Sequence, residues 1–384
     1  SHIAGSAAAL VHSQRSSARY YQRPDADYLA VDSSITAMRG YAGRIELRKV
    51  AGLHWRGGAN ISLTSPGFEI NDIGFQTSVD RIGTDLHLTY VENQPGPVFR
   101  YYRITSRLSR DWNYGWDTQG GNASLNFNWQ LLNYWSGHVN VSHSLRSFDD
   151  RLTRGGPLGL NLPDNRFELQ LRSDDRKPVS GRLSGNLGWG ESGGWHRNLS
   201  MNVSLRPAEN WTVSAGPSLR RNRAAAQYVT TEEDASASAT YGARYIFAPL
   251  DQTTLSMETR LNVNFSPRVS LDVFAQPFIS TGDYGDPMQL RAPRTFSFDR
   301  YDGELDDEDF STRSLRGNAV LRWEWKPGST LFLVWQQRRA DGLDCALAAS
   351  CGRGEFDFGR DVGALFDPRP DNIFMVKMNY WLNL

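Results

Sequence analysis

From Thr253 to Phe265 the chain alternates. Leu255, Met257, Leu261, Val263 and Phe265 share one parity, while Thr254, Ser256, Glu258, Arg260, Asn262 and Asn264 share the other. Successive side chains of an extended strand point to opposite faces, so this stretch is a strand with one apolar and one charged face. The pattern returns at Ala123, Leu125, Phe127, Trp129 and Leu131 against Ser124, Asn126, Asn128 and Gln130. It returns again at Leu199, Met201, Val203 and Leu205, and at Leu321, Trp323 and Trp325 against Arg322, Glu324 and Lys326. A soluble sandwich also alternates. These segments, however, run to about ten residues or more, the length a tilted strand needs to cross a bilayer, where an ordinary sheet uses about five or six.

The connections carry the same message. Short turns fall near Asn133, from Pro207 to Asn210, from Ser266 to Arg268 and from Lys326 to Ser329; long links run from Ser147 to Asn165, Thr281 to Ser311 and Ala340 to Asp371. Tight turns at one end and large loops at the other are the habit of outer-membrane barrels. Counting back from a periplasmic C-terminus places every one of these short turns on the periplasmic side. The final segment fits the scheme: Phe374, Val376, Met378, Tyr380, Leu382 and Leu384 form an apolar row, though barrels of this kind usually close on an aromatic residue rather than on leucine. The expected fold is all-β, a transmembrane antiparallel β-barrel of sixteen to twenty strands occupying residues 1–384 as one domain, in the bacterial outer membrane. Lipid and the barrel-assembly machinery are its expected partners, together with periplasmic or outer-membrane proteins.

Composition narrows the field by exclusion. Hydrophobic residues make up 39% of the 384, mean hydropathy is -0.51, and no stretch approaches the roughly 18 apolar residues of a spanning helix. With 42 basic and 42 acidic residues, the chain lacks the basic excess of a nucleic-acid binder. No G-x-S-x-G elbow, H-E-x-x-H pair or phosphate loop occurs, and no catalytic role is expected. His138 and His143 are five apart and face opposite sides of one strand, and the same alternation separates Ser142 from its histidine neighbour. Cys345 and Cys351 sit close together in a Gly/Ala/Asp-rich loop and are expected to pair in an oxidising compartment.

In such a barrel the polar parity lines the lumen. The arginines expected there are Arg103, Arg107, Arg146, Arg172, Arg206, Arg220, Arg244, Arg260 and Arg322, with Glu258, Asp272 and Glu324 among them. Clustered like charges in a narrow wet space favour anionic solutes; opposite charges on adjacent strands instead make a static ion-pair network. Both readings stay open. Phe274 and Phe278 share the polar parity and are the first candidates to stack on sugar rings. No cofactor is expected. The acidic run holding Asp306, Asp307 and Asp309 is a candidate for Ca²⁺, although it lacks the spacing of an EF-hand.

Several phrases identify a relative. YYQRPDA at Tyr20–Ala26, SPGFEINDIGF at Ser65–Phe75, LTRGGPL at Leu152–Leu158, QYV at Gln227–Val229 and the long run from Tyr241 to Tyr284 resemble the DUF5916 family. The resemblance implies an outer-membrane barrel region, often preceded by a periplasmic domain similar to family 9 carbohydrate-binding modules. It leads us to expect that this domain and the first native strands lie outside these residues. The positions that match the family are scaffold-like: Gly67, Asn71, Asp72, Gly74, Gly155, Gly156, Pro157, Pro267 and Pro277. Pro267 suits a turn, and Pro277, inside a strand, is expected to mark a bulge or a break in hydrogen bonding. The expected role is a membrane-embedded scaffold or conduit that works with partner proteins. The alternative is a passive or selective channel for small anionic or sugar-like solutes. TonB-dependent uptake needs an N-terminal plug and a larger barrel, and an outer-membrane hydrolase needs a Ser-His-Asp-like group.

Overall fold

The computed structural model describes residues 1–71, 74–342 and 352–382. Fifteen long strands follow one another through a single antiparallel meander. They are β1 Ala42–Lys49, β2 Trp55–Thr64, β3 Arg81–Glu92, β4 Phe99–Trp112, β5 Thr118–Leu131, β6 Ser136–Ser144, β7 Asp164–Arg172 and β8 Val179–Gly190. The run continues with β9 Trp195–Ala208, β10 Trp211–Glu233, β11 Ala243–Ser266, β12 Val269–Tyr284, β13 Phe310–Lys326, β14 Ser329–Gly342 and β15 Asp371–Asn379. Each pairs with the next in antiparallel register, for example Leu219 with Leu255 and Arg260 with Phe274. Of the three-residue segments, Met288–Leu290 joins the same sheet by pairing with β11 and carries Phe298–Arg300 beside it, while others form separate ladders, such as Ser147–Asp149 on Gly159–Asn161. The sheet among the described residues therefore holds seventeen strands, within the expected sixteen to twenty, fifteen of them long and two, Met288–Leu290 and Phe298–Arg300, only three residues each.

The register sorts the side chains as the alternation requires. On one face lie Ile45, Ile61, Leu86, Leu108, Leu125, Val141, Leu183, Leu199, Met257, Leu333 and Val376, all exposed. On the other lie the charged and amide residues, as where Asn262 opposes Asp272 and Asn60 opposes Asp85. An ordinary soluble sheet buries its apolar face; this one buries little of either, and its core sits elsewhere, at one end.

That end is where the long links gather. Ala42, Thr64 and Arg81 are mutual neighbours there, as are Asp164 and Gly190, and Glu233 and Ala243. The opposite end holds the short turns, including Pro267–Arg268 between the paired Ser266 and Val269. Within β12, Pro277 interrupts pairing with β11 between Phe278 and Ala275 while the register on either side is unchanged, so it makes a break and not a bulge. Its other edge stays paired, Pro277 lying opposite Leu315. A proline donates no hydrogen bond to the ladder, and the break spans two positions, Pro277 and Gln276.

A short helix, α1 (Ala7–Arg15), precedes the sheet, started by Ser6, whose hydroxyl accepts from the Ala9 amide at 3.2 Å. No helix among the described residues is long and apolar enough to cross a membrane.

Candidate functional site

The long-loop end is closed over by a cap. The segment that contains α1 lies across it, pinned at intervals to two links, the one between β2 and β3 and the one between β6 and β7. Arg19, almost fully buried, donates to the Glu69 carboxylate at 2.5 Å and to the Phe68 carbonyl at 2.6 Å. The Tyr28 hydroxyl donates to Asp80 at 2.5 Å, and Asp25 accepts from the Leu158 amide at 2.8 Å. Three of the phrases shared with the family, at 20–26, 65–75 and 152–158, thus converge here from separate parts of the chain. Their glycines have a steric reason. A methyl group on Gly67 would overlap the Arg39 carbonyl, one on Gly156 would overlap the Tyr245 ring, and Gly155 has a φ of +108°. Gly74 and Asn71 shape the neighbouring turn, the Asn71 side chain accepting from the Gln76 amide at 3.0 Å and the Gly74 amide donating to Ile70. Asp72 lies outside the described residues.

At the centre of the cap stands Asp150. Arg81 donates to both of its oxygens at 2.9 Å, and the Arg23 guanidinium, whose side chain is 2% exposed, approaches within 3.9 Å. Burial alone would push the Asp150 carboxyl up. The bonds and charge of Arg81, with Arg23 and Arg151 behind them, hold it below the ordinary carboxylate range. Burial and then the bond to Asp80 push the Tyr28 phenol up.

The far side of the sheet is tied in by Arg294, from the link between β12 and β13. It donates to both oxygens of Asp117, in the β4–β5 turn, at 2.7 and 3.1 Å, and its amide donates to Leu158 at 2.7 Å. β5 and β12 are seven strands apart, about 34 Å along a flat sheet, so the curl of the sheet is what brings these links together. A small apolar core of Tyr245, Phe247 and Leu290, with Leu152 and Phe298 packed on it, completes the closure.

The polar face below the cap carries most of the arginines read from the sequence, and several are already paired. Arg107 meets Asp85 at 3.1 Å, Arg260 meets Glu258 at 2.6 Å and also lies 5.1 Å from the centre of the Phe274 ring, and Arg322 meets Glu324 at 3.2 Å. Arg172 pairs with Asp175 at 3.2 Å, Asp272 accepts from Asn262, and Arg206 holds the carbonyls of Asp175 and Lys177 at the short-turn end. Arg103 and Arg220 share this face through their partners Val91 and Asn198. Two assignments need correction. Arg146 lies beyond the last β6 residue and pairs at the rim with Glu191 at 2.8 Å. Arg244 sits in the outward extension of the β10–β11 hairpin, bonded to Asp234 at 2.5 Å and Gln289 at 2.9 Å, where register shifts near Ala224 and Tyr228 change the phase of the alternation.

The same parity adds arginines that the sequence reading passed over. Arg316 and Arg338 are cross-strand partners on β13 and β14, beside Phe274 and Ile373. Arg166 and Arg182 belong to the same face on β7 and β8, opposite Ser142 and Asn202. Extending the period-two count through β7, β8, β13 and β14 would have found all four. Among the described residues, Arg316 and Arg338 form no ion pair.

His138 turns to the polar face against Asn126 and Asn128, and His143 to the other side, so the two do not converge. In the acidic run the carboxylates serve the loop's own backbone: Asp307 accepts from the Asp309 amide at 3.0 Å and Asp309 from the Tyr284 amide at 2.7 Å. No three potential metal ligands come together among the described residues, Asp306 included. Phe374 and Tyr380 lie exposed on and beyond β15; Cys345, Cys351 and Leu384 fall outside the described residues.

Among curated protein sequences none matches this chain. Solved structures similar to it at low identity include the following two. A bacterial polysaccharide outer membrane secretin is 10% identical, with 78% of this chain and 86% of that one covered and a TM-score of 0.33. The NanC porin is 9% identical, with 69% and 94% covered and a TM-score of 0.20. The model of one family, described as a domain of unknown function, DUF5916, matches residues 3–384, and the chain therefore belongs to the DUF5916 family.

Proposed function

We propose that this chain is an outer-membrane β-barrel acting as a conduit, its sheet closed on itself around a wet lumen and its outer mouth covered by the cap. One observation carries the reading: the exposed apolar face of a sheet whose other face is charged. Ile45, Leu47, Leu86, Leu125, Leu199, Val376 and their neighbours form a continuous apolar surface far larger than a soluble monomer tolerates, and lipid is the solvent that suits it. The charged face then borders water, and the long-loop end faces outward. Lipid and the barrel-assembly machinery are the partners this reading requires, and the role is non-catalytic.

A preference for small anions is favoured by a second observation. On the polar face Arg166, Arg182, Arg316 and Arg338 add positive charge beyond the arginines that have carboxylate partners, although the chain as a whole is neutral. The test is conductance of the purified protein in planar bilayers, with and without Arg316→Gln and Arg338→Gln. These two are better probes than Arg260 or Arg322, whose neutralisation would strand Glu258 or Glu324. We expect conductance that rises when the cap is loosened and an anion preference that falls in the double variant. Silence from inserted, folded protein with its cap opened would remove the conduit reading and leave a filled scaffold.

A further inference from the structure

On the apolar side of the sheet, three arginines interrupt the outer parts of β9 and β10. Arg197 shares its parity with the exposed Leu199 and Met201, and Arg221 and Arg223 share theirs with the exposed Leu219. All three therefore stand away from the polar face, and all three are exposed. Arg197 and Arg221 are cross-strand partners, while Arg223 stands opposite Trp195, two residues nearer the long-loop end. Arg223 is engaged by Asp251 at 3.1 Å. Among the described residues Arg197 and Arg221 have no carboxylate partner, and the Arg197 guanidinium lies 5.0 Å from the centre of the Trp195 ring.

Just below them, toward the short turns, the same face is hollow. A groove of about 580 Å³ is lined by Phe167, Leu187, Leu199 and Leu219 together with Arg197 and Arg221. The ladder supplies its floor. Leu169, Gly185, Leu199, Leu219 and Leu255 follow one another across β7 to β11 in a single row. Gly185 alone in that row has no side chain, and a Cβ placed there would meet nothing within 4 Å. The next row inward, Leu171, Leu183 and Met201, is complete. The groove is thus an apolar notch with two unpaired cations at its outer mouth.

We propose that this groove holds one phosphorylated lipid of the outer leaflet, its phosphate between Arg197 and Arg221 and one acyl chain running down over Gly185. This rests on the barrel reading, which puts the apolar face in lipid and the long-loop end outside. Trp189 and Trp195 pair across β8 and β9 near the strand ends, where aromatic residues of a barrel mark the membrane interface. Arg197 and Arg221 lie two residues further in, about 7 Å along a strand, which is the depth of lipid headgroups. Two guanidinium groups directly opposite one another repel. A phosphate removes that repulsion, because its oxygens accept paired hydrogen bonds from each guanidinium and one dianion balances two cations. The notch explains the other half of the ligand: an acyl chain seated where Gly185 lacks a side chain touches protein on more sides than a chain lying on a flat wall.

The test is native mass spectrometry of the purified protein in a nonionic detergent. Dioleoyl phosphatidic acid is the probe, dioleoyl phosphatidylcholine offers the same chains without net charge, and inorganic phosphate offers the head without chains. Folding is checked separately by heat-modifiable migration on gels. We expect one tightly held phosphatidic acid per chain, bound about tenfold more strongly than phosphatidylcholine. Arg197→Gln combined with Arg221→Gln should abolish that preference. Gly185→Leu, which leaves both arginines in place, should weaken phosphatidic acid about fivefold, equivalent to roughly one buried methylene. Equal binding of the two lipids would overturn the proposal, and so would a preference that survives in the double variant. Binding that Gly185→Leu leaves unchanged, or that inorganic phosphate displaces at equal concentration, would also overturn it, since the arginines would then attract a head alone. Each of these results leaves the barrel reading standing, whereas a chain with no heat-modifiable form in detergent and lipid would remove both.

Discussion

Replacing Asp150 with alanine should open the cap and leave the sheet alone. The carboxylate is the shared partner of Arg81, at 2.9 Å to both oxygens, and of Arg23, whose side chain is 2% exposed. Without it two guanidinium groups face each other in a partly dry pocket. Removing one partner of a buried pair costs about 3–5 kcal/mol, mostly because the other charge is left unpaired. Arg81 keeps 24% of its side chain in water, so the lower figure applies, about 3 kcal/mol after screening. That corresponds to about a 150-fold shift in the opening equilibrium of the cap. The assay is amide hydrogen exchange followed by mass spectrometry on protein in liposomes. Peptides holding the Val79 and Leu158 amides, which bond to Ala18 and Asp25, should exchange about a hundredfold faster. Peptides from the middle of β10 and β11 should be unchanged. Equal acceleration in both sets would mean that Asp150 holds the whole fold, and no acceleration would mean that the arginines find other partners; either result refutes the reasoning.

The pH response of the cap follows from the same residue. Because the folded carboxyl lies below its ordinary value of about 3.9, its contribution is fully present above that value and is lost as pH falls through the folded one. Cap exchange, corrected for intrinsic chemistry, should be flat from about pH 7 to 5 and rise only below about pH 4, with the rise absent in Asp150→Asn. On the apolar face, Leu86→Arg, midway along β3, should cost about 2–4 kcal/mol of folding stability in liposomes. Its neighbour on the polar side, His87→Arg, should cost less than about 0.5 kcal/mol, as it gains Asp85 nearby. Urea titration with lipid present measures both, and equal costs would sink the assignment of faces.

The strands were legible because each obeys a local rule. Alternation from Thr253 to Phe265 names the two faces of β11 without knowledge of any partner, and the turns at Pro207, Pro267 and Gly328 mark where the register must reverse. The cap was not legible, because nothing local ties Arg23 to Asp150 or Arg294 to Asp117; those pairs exist only once the sheet has curled. The phrases at 20–26, 65–75 and 152–158 could be seen as shared with a family, yet their reason is contact between separate segments: Asp25 with Leu158, and Arg19, just before the first phrase, with Phe68 and Glu69. Arg146 and Arg244 were misplaced for a related cause. Parity identifies a face only while the ladder is unbroken, and one residue lies past the end of β6 while the other lies beyond two register shifts.

Charge shows how much a sum conceals. Equal numbers of basic and acidic residues argue against a nucleic-acid partner, but they say nothing about where each sign lies. The fold separates them. Carboxylates crowd the link between β12 and β13, from Asp299 to Asp309, while Arg166, Arg182, Arg316 and Arg338 join the polar face of the sheet. Arg316 and Arg338 stand opposite one another, with Asp371 across from Arg338 on the other side, so one carboxylate serves two arginines there. Had the polar face been selected only to fill space, opposite charges would be the economical choice, as at Arg260 with Glu258 and Arg322 with Glu324. Like charges facing each other are tolerable where water or a nearby carboxylate such as Asp371 stands beside them, and a polar face open to water supplies that condition.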